Sequence, residues 1–152
     1  MQEKELSFEE FERAYSVLQG QSVGFAESNG YTIDLFFGEF FEKPEDTGDL
    51  ALFVSGEWRI LEAGKTILAN DAQYDKEDII ADSAILQGQS IASIKFVRVE
   101  REVLVEFENG YILQAQSNSA NGWIELLSKN GDLFFADKDG HFLQKKYNDK
   151  GA

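Results

Sequence analysis

The sequence predicts a mainly β protein of α+β character, built as two tandem units that each run from a helix into antiparallel strands. The units are expected to pack as a β-sandwich or an open barrel. Three observations carry this reading. The phrase LQGQSV at 18–23 returns as LQGQSI at 86–91. Asn-Gly, Asp-Gly and Ser-Gly turn signals recur between short stretches of alternating hydrophobicity. Before each copy of the phrase lies a segment with helical spacing.

The first element is an N-terminal amphipathic helix. Ser7 with Glu10 forms a capping-box pattern, and Phe8, Phe11, Tyr15 and Leu18 then fall on one side of a helical wheel. Burying those four side chains contributes on the order of 6–12 kcal/mol. Ordering about a dozen residues costs a comparable amount, so this helix needs a sheet to lie on. After the phrase the period changes to two. SVGFAESNGYTIDLFF carries Asn-Gly between β-rich arms, and ALFVSGEWRILEAGKTILAN reads as three short strands broken at Ser-Gly and Ala-Gly.

Sliding the chain by 68 places Glu9 on Glu77, Phe11 on Ile79, Val17 on Ile85 and Leu18 on Leu86. The helix counterpart KEDIIADSAIL is less amphipathic and is expected to be only a turn or two long. Strands follow again in SIASIKFVRV, EVLVEFENGYILQAQS, GWIELLS, GDLFFAD and GHFLQKKY. At a shorter offset WRILEAGKTILA matches WIELLSKNGDLFFA, which pairs Trp58 with Trp123, the only two tryptophans. The expected units are 1–74 and 75–152, the second with a short tail, together making one structural domain. Gly20 and Gly88, each closing a helix and opening a strand, suit the left-handed backbone of a helix stop. The repeated phrase is thus read as a structural joint used twice.

Composition narrows the function. With 43% hydrophobic and 13% aromatic residues, the chain can fill a core despite its charge. It has no cysteine, which excludes disulfides, thiolate metal sites and thiol nucleophiles. The N-terminus is charged and no run approaches a membrane span, so a bacterial cytoplasmic protein is expected. The net charge of −14 is unevenly placed: residues 1–85 hold 19 Asp/Glu against 6 Lys/Arg, and residues 86–152 hold 9 against 8. That balance repels nucleic acid and anionic membranes and steers a basic partner toward the first half.

No catalytic or metal site emerges, and no cofactor is expected. His141 is the only histidine and follows a turn glycine, so it reads as a surface strand residue. DKDG at 137–140 lacks the later glutamate of a calcium loop and reads as a hairpin turn. The 28 acids make any single carboxylate pair uninformative, and no phosphate loop or nucleophile elbow is present. FFGEFF at 36–41 is the most unusual stretch, because its rings cannot all face one side of a strand. Either both sheet faces are covered there, or some rings meet a partner.

The patterns LQGQSIASI, VLVEFENG and GWIELL resemble those of small bacterial β-rich domains of uncharacterised families. Some of these look like immunity proteins encoded beside contact-dependent or secreted toxins. The resemblance covers most of 86–136, more faintly the first unit, and carries no functional residues. The expectation is a non-enzymatic binding protein for a basic protein partner such as a toxin. Phe36, Phe37, Phe40 and Phe41 would anchor it, and Glu42, Glu45, Asp46 and Asp49 would steer it. The alternative is a β-barrel that takes a small apolar molecule between the units, in a pocket lined by Trp58 and Trp123.

Overall fold

A computed structural model describes residues 3–38, 50–117, 123–128, 130–137 and 139–146. Strand β1 (Glu3–Leu6) leads into helix α1 (Phe8–Tyr15) and a single turn of 3-10 helix over Ser16–Leu18. Strands β2 (Val23–Ser28), β3 (Ile33–Phe37), β4 (Leu50–Val54), β5 (Glu57–Glu62) and β6 (Lys65–Ala69) follow. Helix α2 (Lys76–Asp82) and a second 3-10 segment over Ser83–Leu86 then reach β7 (Ile91–Val97), β8 (Glu102–Phe107) and β9 (Ile112–Gln116). The last strands are β10 (Ile124–Ser128), β11 (Asp132–Ala136) and β12 (Phe142–Lys146).

These strands pair antiparallel into two sheets. One has seven strands in the order β1-β12-β11-β10-β4-β3-β2, and the other has five in the order β6-β5-β9-β8-β7. Neither sheet closes on itself, so no barrel forms. Their inner faces feed a single hydrophobic cluster that includes Leu35, Leu52 and Leu126 from the first and Ile60, Val105 and Leu113 from the second.

Helix α1 starts where its cap requires. The Glu10 amide donates to Ser7 Oγ at 3.1 Å, and the Ser7 amide donates to Glu10 Oε1 at 2.8 Å. Phe11 and Tyr15 are buried while Glu9 and Glu10 face water, and Leu18 is buried from within the 3-10 turn. The helix touches β1 and β12 of the seven-stranded sheet and β7 of the other, whereas α2 touches β2 and β6. Each helix therefore bridges the two sheets along one side. Strand β1 is not foreshadowed by its charged letters EKEL. It is an edge strand held by β12, and the exposed charges of Glu3, Lys4 and Glu5 protect that edge.

The Asn-Gly hairpins are wider than the two-residue turns the dipeptide most strongly signals. Asn29 Oδ1 accepts the amides of Tyr31 and Thr32, both at 2.9 Å, which builds a four-residue connection from Ser28 to Ile33. Gly30 has φ +97° there, a value that disfavours a side chain. Between Phe107 and Ile112 the Asn sits one place later in the connection: Asn109 Oδ1 accepts the Tyr111 amide at 3.0 Å, and Gly110 has φ +98°.

The two copies of LQGQS meet in space. Ser22 and Ser90 form an isolated antiparallel bridge, with their hydroxyl oxygens 2.7 Å apart. Around it, the Gly20 amide donates to the Ile91 carbonyl at 2.8 Å, and the Gly88 amide donates to the Val23 carbonyl at 2.7 Å. Likewise the Val23 and Ile91 amides donate to the Gln89 and Gln21 carbonyls, both at 2.9 Å. Every bond has a partner at an offset of 68 residues. Gly20 and Gly88 adopt φ +86° and +81°, the left-handed stop their positions imply. Register shifts fall between Val23 and Phe25 and between Ile91 and Ser93, again 68 apart. The hairpins also cross over: β10 pairs with β4, and β5 pairs with β9.

The tryptophans do not match as well. Trp58 faces Ala115 across β5 and β9, whereas the residue facing Val54 across β10 and β4 is Ile124, one step beyond Trp123. Trp123 sits before β10, its ring edge-on to Phe96 at 5.7 Å. One expected result tests the joint. Ser22 and Ser90 are a non-hydrogen-bonded antiparallel pair, the geometry that brings side chains closest. In this cysteine-free chain, Ser22→Cys with Ser90→Cys should oxidise to an intramolecular disulfide. Thiol titration and non-reducing electrophoresis would read it, and thiols that stay free under mild oxidant would contradict the contact.

Candidate functional site

Successive residues of a strand point to opposite faces, so register decides what the seven-stranded sheet shows outward. Leu35, Leu52 and Leu126 go inward. The opposite face carries two cross-strand rows. The first reads Phe25, Phe36, Ala51, Leu127 and Leu133, and ends on Lys145 and Glu3. The second reads Glu27, Asp34, Phe53, Glu125 and Phe135, and ends on Leu143 and Glu5. Phe36, Ala51, Leu127 and Leu133 form a second hydrophobic cluster, with Phe53 and Phe135 packed against it. Phe25 lies 6.1 Å from Phe36 in a stacked arrangement and is 36% exposed, so this cluster reaches the surface. A sheet face that is apolar on both sides is what strands reading LALFV and IDLFF require.

Acids are set among these rings. Asp34 is half-buried between Glu27 and Phe53, and its carboxyl makes no hydrogen bond or ion pair among the described residues. Burial, reinforced by the like charges of Glu27 and Glu125, pushes its carboxyl up to about 7. Glu125 is exposed as a residue, yet partial burial of its carboxyl by its neighbours raises it, against the opposing pull of Lys145. Lys145 holds its ammonium 5.0 Å above the Phe135 ring, so a cation already rests on an aromatic of this face.

The outer face of the five-stranded sheet differs. Arg59 Nε donates to Gln114 at 2.7 Å, Gln114 donates to Glu102 at 2.6 Å, and Ser93 donates to Glu106 at 2.7 Å. Lys95 lies 3.7 Å from Glu106. These polar groups are paired with one another.

Of the residues singled out from sequence, Phe36 and Phe37 lie on opposite faces of β3. Phe37 is fully buried in the main core, and Phe36 is 8% exposed in the outer cluster, so neither is a protruding anchor. Phe40, Phe41, Glu42, Glu45, Asp46 and Asp49 lie outside the described residues. Trp58 and Trp123 are both buried, and among the described residues they border different depressions. The Trp58 indole N–H donates to the Tyr31 carbonyl at 2.8 Å, and that of Trp123 to the Ala115 carbonyl at 3.2 Å. Trp58 borders a polar depression of about 490 Å³ with Arg59, Asn70, Glu102 and Gln114, and Trp123 borders a separate one of about 190 Å³.

No group of three or more acids or histidines positioned for a metal ion occurs among the described residues. Asp137 Oδ1 accepts the amides of Asp139 and His141, both at 2.9 Å, which holds the Asp137 carboxyl below its usual range against the opposing effect of burial. Among the described residues no helix is long and apolar enough to cross a membrane.

Sequence reasoning missed Asp34, Phe53, Glu125 and Phe135. One signal was available: DLFF is written twice, at 34–37 and 132–135. In β3 it turns Asp34 and Phe36 outward, and in β11 it turns Leu133 and Phe135 outward, so identical letters serve opposite faces.

No protein-family profile matches the chain, and no curated protein matches it. Among solved structures it is similar to the crystal structure of the fibrinogen binding protein from Staphylococcus aureus, with a TM-score of 0.39 and 12% identity. The match covers 85% of this chain and 44% of that one.

Proposed function

We propose that this chain is a non-enzymatic binding protein that takes a basic protein partner, such as a toxin to be neutralised, on the outer face of its seven-stranded sheet. One observation carries the reading. Among the described residues the Asp34 carboxyl stands unpartnered beside rings, where an apolar residue would be more stable, and residues held against stability mark functional surfaces. The excess acid of the whole chain raises the rate of encounter with a basic partner, and the rings beneath slow its departure. Occlusion of the partner's surface is then the whole mechanism, with no bond made or broken. It would act in the bacterial cytoplasm.

The architecture is read as a duplication whose two copies complete each other's sheets. The paired bonds around Ser22 and Ser90 and the matched register shifts support that reading. In this light one of the two shared sheets has kept a polar outer face and the other has acquired the binding face. A small-molecule pocket between the tryptophans has less support, since both indoles are buried and committed to backbone carbonyls.

The test is calorimetric titration with a hexapeptide of alternating Lys and Trp. Binding is expected at low salt, weakening steeply as ionic strength rises. A Glu-Trp hexapeptide should not bind. Equal binding of both peptides, or salt-independent binding, would remove the charge argument.

A further inference from the structure

The proposed docking face leaves the chemistry of the incoming cation open, and the second cross-strand row narrows it. Asp34, Phe53 and Glu125 are direct neighbours on β3, β4 and β10, so the two acidic residues flank Phe53 on the same face of the sheet. Strand spacing puts their backbones roughly 10 Å apart, with the ring midway. Resting on the reading above, we infer that the anchor of the partner is an arginine side chain laid on Phe53 and bracketed by Asp34 and Glu125.

The chemistry favours arginine over lysine. A guanidinium is flat, stacks on a ring, and carries donors along opposite edges, so one group can meet both carboxylates while covering the ring. An ammonium is a compact point charge and cannot span the two. The molecule already shows the weaker version one strand further on, where Lys145 lies over Phe135. That contact uses up Phe135, and among the described residues no cation lies over Phe53.

Proton linkage supplies an independent signature. The charged groups that the sheet presents around Asp34 are Glu27 from β2, Glu125 from β10, Lys145 from β12, and Glu3 and Glu5 from β1. Strands β4 and β11 present only Ala51, Phe53, Leu133 and Phe135. Acids outnumber the single lysine, and the Asp34 carboxyl sits near 7. Docking of a guanidinium must therefore expel a proton, so affinity should rise with pH from 6 to 8.

The experiment uses the intact chain and three hexapeptides, alternating Trp with Arg, Lys or citrulline, by fluorescence anisotropy at pH 6 and pH 8. The Arg peptide is expected to bind about threefold to tenfold tighter than the Lys peptide at pH 8, and the citrulline peptide not measurably. Its affinity should fall severalfold at pH 6, and Asp34→Asn should flatten that dependence. Phe53→Leu, checked for folding by circular dichroism, should erase the Arg preference and leave binding at the Lys level. Equal binding of the Arg and Lys peptides at both pH values would overturn the arginine anchor while leaving the basic-partner reading in place. Loss of binding by both cationic peptides would overturn the two together.

Discussion

The Phe11→Ala variant is expected to unfold with about 3–5 kcal/mol less free energy than the parent chain. Phe11 is fully buried, with Phe142 at 4.6 Å, Tyr15 at 4.7 Å and Phe96 at 5.3 Å. Those rings belong to β12 of the seven-stranded sheet, to α1 and to β7 of the five-stranded sheet, so one side chain joins both layers and the helix. Removing it opens a cavity that three stiff aromatics cannot collapse into. Tyr15 limits any shift of the helix, because its hydroxyl donates to the Phe134 carbonyl at 2.7 Å. Urea denaturation checks the size of the loss, and Phe11→Leu should cost clearly less. A loss under about 1 kcal/mol for the alanine variant would mean that α1 is not wedged between the sheets.

The second large effect concerns pH. The Asp34 carboxyl titrates near 7 in the folded chain, chiefly through burial and then through Glu27 and Glu125, against about 3.9 for an unperturbed aspartate. The folded state thus holds a proton that the unfolded state has already released. Stability from this group is fully present below about pH 4 and is lost as pH rises toward about 7, after which it stays flat. Between pH 5 and pH 8 the loss should reach about 1–2 kcal/mol, after discounting for the water the carboxylate still reaches. Asp34→Asn should flatten this slope and be the more stable protein at pH 8. The same substitution should weaken binding of a basic peptide, and that opposition between stability and binding is the mark of a functional residue. Parallel denaturation curves at several pH values check the first part, and unchanged slopes in the variant would show that another group titrates.

Much of the architecture is legible from local chemistry. Ser7 and Glu10 set the start of α1, the two LQGQS glycines set the joints, and alternating strands between glycine turns give a mainly β protein with antiparallel sheets. Strand β1 is not legible, because an edge strand built of charges looks like a solvated tail. The site is legible only in part. Two-sided apolarity around Phe36 and Phe37 is visible in the letters, yet which ring goes outward depends on register, which is fixed by long-range pairing with β4. Asp34 and Glu125 are 91 residues apart and two among 28 acids, and nothing local marks them as neighbours on either side of Phe53. The emphasis on Trp58 and Trp123 follows from their rarity, but rarity reports bulk, and both residues serve the core.

The most direct measurement is a map of amide chemical shifts in the labelled chain as the Arg-Trp hexapeptide is added. If the outer face of the seven-stranded sheet is the docking surface, the largest changes fall on β2, β3, β4, β10 and β11, centred on Asp34, Phe53 and Glu125. Changes concentrated instead around Arg59, Gln114 and the Trp58 depression, with β3 and β4 silent, would contradict it.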